Sequence, residues 1–226
     1  MAFKQDLNNQ FARMGKVLGS GRRLELLDYL AQGARSVEQL ATVSGLSVAN
    51  TSQHLQKMQQ AGLVRAERHG KQIFYQLADN EVIALMTVLR GLAERHLAEV
   101  REMVSMHLTR RDGLEPVSAE ELLARAWSGL VTVLDVRPPE EYAAGHVPGA
   151  VNISAERLRE KIAMLDPSRE VIAYCRGPYC TFSFEAVALL RAEGFSARRL
   201  EAGFPEWKQA GHPIETEHTP LELTHD

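Results

Sequence analysis

The run Ser47-Val-Ala-Asn-Thr-Ser-Gln-His-Leu-Gln-Lys-Met-Gln-Gln-Ala-Gly-Leu-Val64 decides how the first half of this chain is read. Ser47 stands where a helix N-cap is favoured, because its hydroxyl accepts from an unpaired amide of the first turn. Gly62 supplies the stop. Between them Val48, Thr51, Leu55 and Met58 recur at three- and four-residue steps, so they are expected to pack inward. Ala49, Ser52, Gln53 and Gln56 share a neighbouring face, with Asn50, His54 and Lys57 beside it.

Upstream, Ser36 and Gln39 form a capping box for a shorter helix carrying Val37, Leu40 and Val43, which Gly45 ends. Before it, residues 22–30 place Leu24, Leu27 and Leu30 at three-residue steps, with Leu26 and Tyr29 widening the stripe. Two short helices around a glycine turn are a helix-turn-helix signature. Downstream, residues 63–77 change character: Val64, then Arg68-His-Gly-Lys71, then Ile73, Phe74, Tyr75 and Leu77 read as two strands around a glycine turn. That is a hairpin wing with a basic tip. Residues 79–108 hold no proline and one glycine, with Val82, Met86, Leu89, Ala93, Leu97, Val100 and Val104 in helical register. One continuous helix of about 45 Å is expected there. It is too long to bury its stripe against so small a domain, so a homodimer seam along helix 79–108 is expected.

Charge agrees with a polyanionic partner for this half. The whole chain has 26 basic and 29 acidic residues, but residues 1–75 hold 10 basic against 5 acidic. Residues 109–226 reverse this, with 13 against 19. A cationic first third suits a nucleic acid; an acidic second half does not. Small and amide side chains on helix 47–61 fit a major groove, and glutamine pairs with adenine through two hydrogen bonds. Ala49, Asn50, Ser52, Gln53, Gln56 and Lys57 are therefore the candidate readers of a double-stranded DNA operator. Arg68 and Lys71, with Arg65 and His69, are candidate phosphate or minor-groove contacts. The same helix face also fits a plain solvated surface.

Taken whole, the run 47–64, the wing and the closing Phe74-Tyr-Gln-Leu77 resemble the ArsR family of winged-helix repressors over about the first 105 residues. The resemblance implies a homodimer, paired through terminal helices, that leaves its operator when an inducer binds. Many such repressors sense metals. The family's cysteine-pair site would fall in helix 37–44, and no cysteine lies in this half. Its terminal-helix site maps to Asp79, Glu81, Leu92 and Arg95, and Leu and Arg cannot serve as ligands there. Glu94, His96 and His107 repeat the spacing out of register, with Arg110 in fourth place. No metal and no cofactor is expected.

Residues 109–116 read as a linker, and residues 117–215 as a second domain. Val131-Thr-Val-Leu-Asp-Val136, Ala150-Val-Asn-Ile153 and Val171-Ile-Ala-Tyr174 are short strands, with helices expected at 118–128, 155–165 and 181–193. Strands alternating with helices imply an α/β fold with a parallel sheet. Residues 216–226 read as a polar tail, with fraying expected from Glu215 onward. The chain as a whole is thus a mostly-α winged helix-turn-helix domain joined to an α/β domain.

The two cysteines, Cys175 and Cys180, lie in Tyr174-Cys-Arg-Gly-Pro-Tyr-Cys-Thr-Phe-Ser183, after a strand and before a helix. Two cysteines are too few for a disulfide scaffold, and local thiol chemistry is expected instead. The loop Cys175, Arg176, Gly177, Pro178, Tyr179, Cys180 sits where open α/β sheets bind ligands. Inward amides and a helix N-terminus favour an anion, so the Cys175 thiol is expected to be lowered. Arg176 would add to this if it turns inward.

Asp135-Val-Arg137, Glu141-Tyr142, Gly145-His-Val-Pro-Gly-Ala-Val-Asn-Ile153, the cysteine loop, Glu201-Ala-Gly-Phe-Pro-Glu-Trp207 and Ala210-Gly-His-Pro213 together resemble the rhodanese family across residues 116–215. The resemblance implies a five-stranded parallel sheet and a catalytic Cys175 that carries sulfane sulfur as a persulfide. It makes Asp135 a candidate for a direct role, although Asp135, Arg137 and Glu141 read first as framework; His146 and Trp207 read as packing. Many single-domain members carry Arg five residues after the cysteine, where this chain has Cys180, which disfavours thiosulfate. Phosphatase-like relatives need Arg six residues on, and Thr181 stands there. Cys180 reads either as a resolving thiol or as a small packed side chain.

Three functions remain open on these residues. One is a dimeric repressor sensing a sulfane-sulfur donor or thiol oxidant at Cys175. The second is an active sulfurtransferase with an attached DNA-binding domain, and the third is an unreactive ligand-binding module. Lacking an apolar run of about 18 residues and a signal-peptide pattern at its start, the chain is expected in the cytoplasm, without a membrane partner.

Overall fold

The computed structural model describes residues 2–108 and 116–217. Contacts divide the chain into two compact units, Met1–Leu89 and Arg90–Asp226. Residues 109–115 of the expected linker and 218–226 of the expected tail lie outside the described residues.

The first unit runs α1 (Ala2–Leu18), α2 (Gly21–Gln32), β1 (Arg35–Ser36), α3 (Val37–Ser44), α4 (Val48–Gln60), β2 (Val64–His69), β3 (Gln72–Leu77) and the start of α5 (Glu81–His96). Its caps are those read from the sequence. Ser36 accepts from the Gln39 amide while the Gln39 side chain accepts from the Ser36 amide. Gly45 ends α3 at φ +66°, a left-handed conformation that glycine adopts without a Cβ clash. The Ser47 hydroxyl accepts from the Asn50 amide at 3.3 Å. Leu26, Leu27 and Leu30 of α2 meet Leu40, Leu55, Met58, Leu63, Val64, Tyr75, Val82 and Met86 in one core.

The wing is an antiparallel pair from Val64↔Leu77 to His69↔Gln72, turned at Gly70 with φ +61°. Its partner strand β1, only two residues long, was not legible, and β3 lies between β1 and β2. Helix α1 was not anticipated either. None of its side chains is buried, and Phe3, Leu7, Phe11 and Met14 form an exposed stripe at helical spacing. Val48 is a correction: it is 49% exposed, because only Thr51, Leu55 and Met58 of α4 reach the core.

The single helix expected over 79–108 is also corrected. It divides into α5 and α6 (Ala98–His107) at Leu97, whose φ of −105° and ψ of 114° are extended. Burial in α5 is confined to Val82, Ile83 and Met86, and α6 buries nothing. Without an apolar face packed along its length, little holds a long helix straight.

The second unit adds α7 (Ala119–Trp127), β4 (Val131–Asp135), α8 (Pro139–Ala144), β5 (Val151–Asn152), α9 (Leu158–Lys161), β6 (Glu170–Tyr174), α10 (Thr181–Ala192), β7 (Ala197–Arg199) and α11 (Phe204–Gln209). The sheet has order β5-β4-β6-β7, all parallel. Among the described residues it has four strands rather than the five implied by the family resemblance. The fifth position holds a one-residue parallel bridge, Val117 to Leu200. The preceding Pro116 has no amide to extend it. The helix expected over 155–165 is three short turns, two of them 3₁₀, flanking α9. Residues at the start of the expected frayed tail are tied down: the Glu215 amide donates to His146 and the Glu217 amide to Ala143.

Side chains alternate across the two central strands. Val131 and Val133 with Ile172 and Tyr174 face the core that holds Phe204 and Trp207. Leu134 and Val136 with Val171, Ala173 and Cys175 face the core that holds Ala186, Val187 and Leu190 of α10. This two-residue period is what puts Cys175 under α10.

Candidate functional site

Strand β6 ends at Tyr174 and delivers Cys175 into a tight loop closed by a bond from the Cys180 amide to the Gly177 carbonyl at 3.1 Å. Cys180 is the N-cap of α10. The far wall is Gly203: a Cβ there would lie 2.3 Å from Gly177 Cα. The next amide, of Phe204, donates to the Cys175 carbonyl at 3.0 Å. Gly203 was not singled out from sequence, and only the approach of two distant backbones reveals its part.

The two thiols are unlike. Cys175 is 2% exposed. Its Sγ points at acceptors: the Ser183 hydroxyl at 3.4 Å, the Cys180 carbonyl at 3.6 Å and the Gly177 carbonyl at 3.9 Å. Burial, then the neighbouring Cys180, push this thiol well above the ordinary cysteine value, while the Ser183 hydroxyl and amide pull weakly the other way. The lowering expected from the strand-end position is therefore overturned, because desolvation penalises the anion more than the loop amides favour it. Cys180, half-buried, is brought down to about 7. Its hydrogen bond with Cys175 is the largest cause; the Phe182 and Arg176 amides and the Arg176 charge add to it against desolvation.

Arg176 turns to Glu141, not to a thiol. Its guanidinium makes a bidentate pair with the buried Glu141 carboxylate at 2.8–3.1 Å and lies 5.5 Å from the Phe182 ring. Tyr179 donates its hydroxyl to Glu94 at 2.7 Å, and burial followed by that carboxylate pushes the phenol up to about 12. Glu94, one of the residues repeating the metal spacing, is thus engaged otherwise. Pro178 and Gly177 complete the half-buried loop.

Asp135 is on the other face of the sheet. Its carboxylate, fully buried, takes Arg137 in a bidentate pair at 2.6–3.1 Å and the Tyr174 hydroxyl at 2.6 Å. Arg137 also donates to the Gly145 carbonyl and lies 4.2 Å from the Phe204 ring. Both carboxylate oxygens are occupied on the sheet face opposite the Cys175 side chain, so the geometry gives Asp135 a framework part. His146 stacks on Tyr142 at 3.7 Å and Trp207 donates to the Pro213 carbonyl; both pack. Ser183 and Tyr174 were missed in the sequence, although Ser183 stands on the first turn of α10, one turn from the thiols. A cleft of about 280 Å³ lies at the carboxyl ends of β4 and β5, lined by Val136, Pro138, Pro139, Glu140, Ser154, Ala155, Glu156 and Phe182.

In the first unit α4 leaves Ala49, Asn50, Gln53, Gln56 and Lys57 exposed, with Ser52 half-buried and 3.4 Å from the Gln56 amide nitrogen. Arg68 and Lys71 are exposed at the wing, where Arg68 donates to the Gly70 carbonyl at 3.0 Å. The candidate readers therefore share one accessible helix surface, and the wing cations stand at the turn.

A winged helix-turn-helix unit followed by a parallel α/β unit with a strand-end cysteine loop defines a transcriptional regulator carrying a rhodanese-like domain. Residues 20–66 match the bacterial regulatory protein arsR family, and residues 118–210 match the rhodanese-like domain. The chain is 42% identical over 212 residues to the HTH-type transcriptional regulator Rv0324 of Mycobacterium tuberculosis, covering 94% of this chain and 93% of that protein. It belongs to that family of two-domain regulators. The second half alone is 33% identical over 101 residues to the thiosulfate sulfurtransferase GlpE of Pseudomonas entomophila, covering 44% of this chain and 89% of that one. The homodimeric winged helix-turn-helix DNA-binding domain of Mb0332 from Mycobacterium bovis, solved by solution NMR, is 42% identical, covers 42% of this chain and 89% of its own, and superposes with a TM-score of 0.40. No helix among the described residues is long and apolar enough to cross a membrane.

Proposed function

We propose that the chain is a dimeric, cytoplasmic repressor that binds a double-stranded operator and responds to sulfane sulfur or thiol oxidants through Cys175 and Cys180. In this reading residues 1–108 bind DNA and dimerise, 109–116 link, 117–215 handle sulfur and 216–226 are a tail. The observation that carries it is the pair of unlike thiols in one loop, one buried with its proton and one half-buried and acidic. Two such thiols close to a disulfide or polysulfide bridge, a two-state change that one cysteine does not offer. The exposed amide face of α4 and the wing cations support DNA reading. Exposed Val88, Leu89 and Leu92 on α5 support pairing with a second copy.

The sulfurtransferase reading keeps one argument, the likeness of the second half to a thiosulfate sulfurtransferase. Against it, Cys180 stands where that family's oxyanion-binding Arg is found, and the cleft carries Glu140 and Glu156. Both carboxylates disfavour a dianionic donor.

One paired measurement tests the proposal: sulfur transfer to cyanide, and operator binding by reduced and polysulfide-treated protein, each repeated with both cysteines changed to Ser. Slow transfer with a cysteine-dependent change in binding is expected. Rapid transfer with binding unaffected would favour the enzyme, and no response in either would leave an unreactive module.

A further inference from the structure

Resting on the reading that the cysteine loop handles sulfur, we infer that the Tyr179–Glu94 hydrogen bond is the link through which the state of that loop reaches α5, the helix that carries the pairing stripe. Tyr179 stands within the loop, next to Cys180 and two residues after Gly177. Glu94 stands in the last turn of α5, which ends at His96 before the extended Leu97. Their hydroxyl-to-carboxylate bond, at 2.7 Å, lies within the second compact unit, Arg90–Asp226. The helix it holds begins in the first unit, where Val82 and Met86 join the core built on α2 and α4. One continuous helix is thus packed at its start in the DNA-reading unit and tied at its end to the sulfur-handling loop.

Three observations give the bond this part. The first is what the loop must do when its sulfur gains a substituent. Cys175 is 2% exposed, and its Sγ has the Ser183 hydroxyl at 3.4 Å, the Cys180 carbonyl at 3.6 Å and the Gly177 carbonyl at 3.9 Å. A second sulfur bonded there sits about 2 Å further out, so it gains room only as the turn from Gly177 to Cys180 yields. Tyr179 lies inside that turn, which the 3.1 Å bond from the Cys180 amide to the Gly177 carbonyl holds as one piece. The second is the packing of α5. Past Met86 none of its side chains is buried, so a directed bond in the last turn has leverage on the helix. The third is direction. At about 3.6 residues per turn, Glu94 and the half-buried Arg90 fall opposite the exposed Val88, Leu89 and Leu92. Re-seating Glu94 therefore changes how that stripe is presented to a second copy.

The contact suits a two-position element. Burial, then Glu94, push the Tyr179 phenol up to about 12, so its hydroxyl keeps a proton through the neutral range and donates whenever the loop is at rest. A hydrogen bond to a carboxylate biases such an element about tenfold or more, the size of an ordinary allosteric coupling. Coupling needs a part with two arrangements that both sites bias. The last turn of α5 is that part, with Tyr179 engaged at rest and disengaged when the loop shifts. Glu206 backs the loop from another side. Its Oε1 lies 3.6 Å from where a Gly177 Cβ would stand, and its carboxylate accepts from the Gly203 amide at 3.1 Å. With that wall fixed, a shift of the turn is taken up on the Tyr179 side.

The test uses the full chain, with inorganic polysulfide as the probe. Operator affinity is measured for reduced and treated protein, and mass analysis of the same samples reports sulfur uptake. The wild-type chain is expected to shift about tenfold on treatment. Tyr179→Phe keeps the ring and removes only the hydroxyl. It should take up sulfur as the wild type does, start near the treated wild-type affinity and shift less than about threefold. Glu94→Ala should behave alike, the double variant should match either single one, and Glu94→Gln, which keeps an acceptor oxygen, should restore most of the shift. Hydrogen exchange over residues 90–96 of the reduced proteins gives a second readout: faster exchange in Tyr179→Phe supports the link, and exchange equal to wild type overturns it. A Tyr179→Phe chain that takes up sulfur and still shifts about tenfold also overturns the link, while leaving the sulfur-handling function intact. Should the wild-type chain take up no sulfur, or take it up with binding unchanged, that function fails and the link with it.

Discussion

Changing Gly203 to alanine would insert a methyl group where the cysteine loop already touches the chain 26 residues further on. The added Cβ would lie 2.3 Å from both Gly177 Cα and Gly177 N and 2.7 Å from the Arg176 carbonyl carbon. All three are backbone atoms, so no side-chain rotation relieves the overlap. Reaching an ordinary contact of 3.4 Å needs a retreat of about 1 Å. The Phe204 amide to Cys175 carbonyl bond, now 3.0 Å, spans the same seam and would be stretched beyond bonding length. Overpacking costs about 1–3 kcal/mol, the lost bond about 1 kcal/mol, and the stiffer unfolded chain returns up to about 1 kcal/mol. A net loss of about 2–3 kcal/mol is expected, which lowers the melting temperature of a domain of this size by about 10 °C or more. Trp207 is buried in the second unit and the first unit has no tryptophan, so Trp207 fluorescence follows the unfolding of the second unit selectively. Cys180 alkylation should change in rate as the loop retreats. Gly21→Ala in the first unit, where a Cβ meets nothing within 4 Å, is the control. An unchanged melting curve together with unchanged alkylation in Gly203→Ala would refute the claim that this close approach shapes the loop.

Three other outcomes are expected. Arg137→Met leaves the fully buried Asp135 carboxylate without its cation, and breaking a buried pair this way should cost about 3–5 kcal/mol in urea unfolding. Cys180 is lowered from 9.0 to about 7, so it is a thiol below that pH and a thiolate above it. The rate of its reaction with iodoacetamide should climb through a midpoint near 7, and Arg176→Gln should move that midpoint upward. On operator DNA, Gln53→Ala and Gln56→Ala should each cost about 1–3 kcal/mol at particular base pairs. Lys71→Ala should instead weaken all sequences alike and reduce the salt slope by about 1. Footprinting and salt titrations distinguish the two patterns.

Much of the fold could be read from residues because the signals are short-range. A serine cap, a glycine stop and a three-to-four-residue apolar step each act within one or two turns, which is why Ser36, Gly45, Ser47 and Gly70 mark the helices and the wing where they stand. The strands β4 and β6 were legible for the same reason. Shorter pairings escaped: β1 has two residues and β7 three, too few to show a period, and both exist because a neighbouring strand offers its edge. The break at Leu97 escaped too, since neither proline nor glycine marks it.

The chemistry of the loop divides along the same line. That two thiols would sit together between a strand and a helix was present in the sequence itself, as were the candidate faces of α4 and the wing. Which thiol keeps its proton was not. Ionisation depends on how much water each sulfur loses and which backbone atoms turn toward it. Those are set by the face of β6 that α10 covers, by the carbonyls of Gly177 and Cys180, and by Arg176 being anchored on Glu141 from a different helix. Spacing brings residues into one loop, but desolvation and dipole orientation are properties of the packed chain, and only the tertiary structure could order the two cysteines.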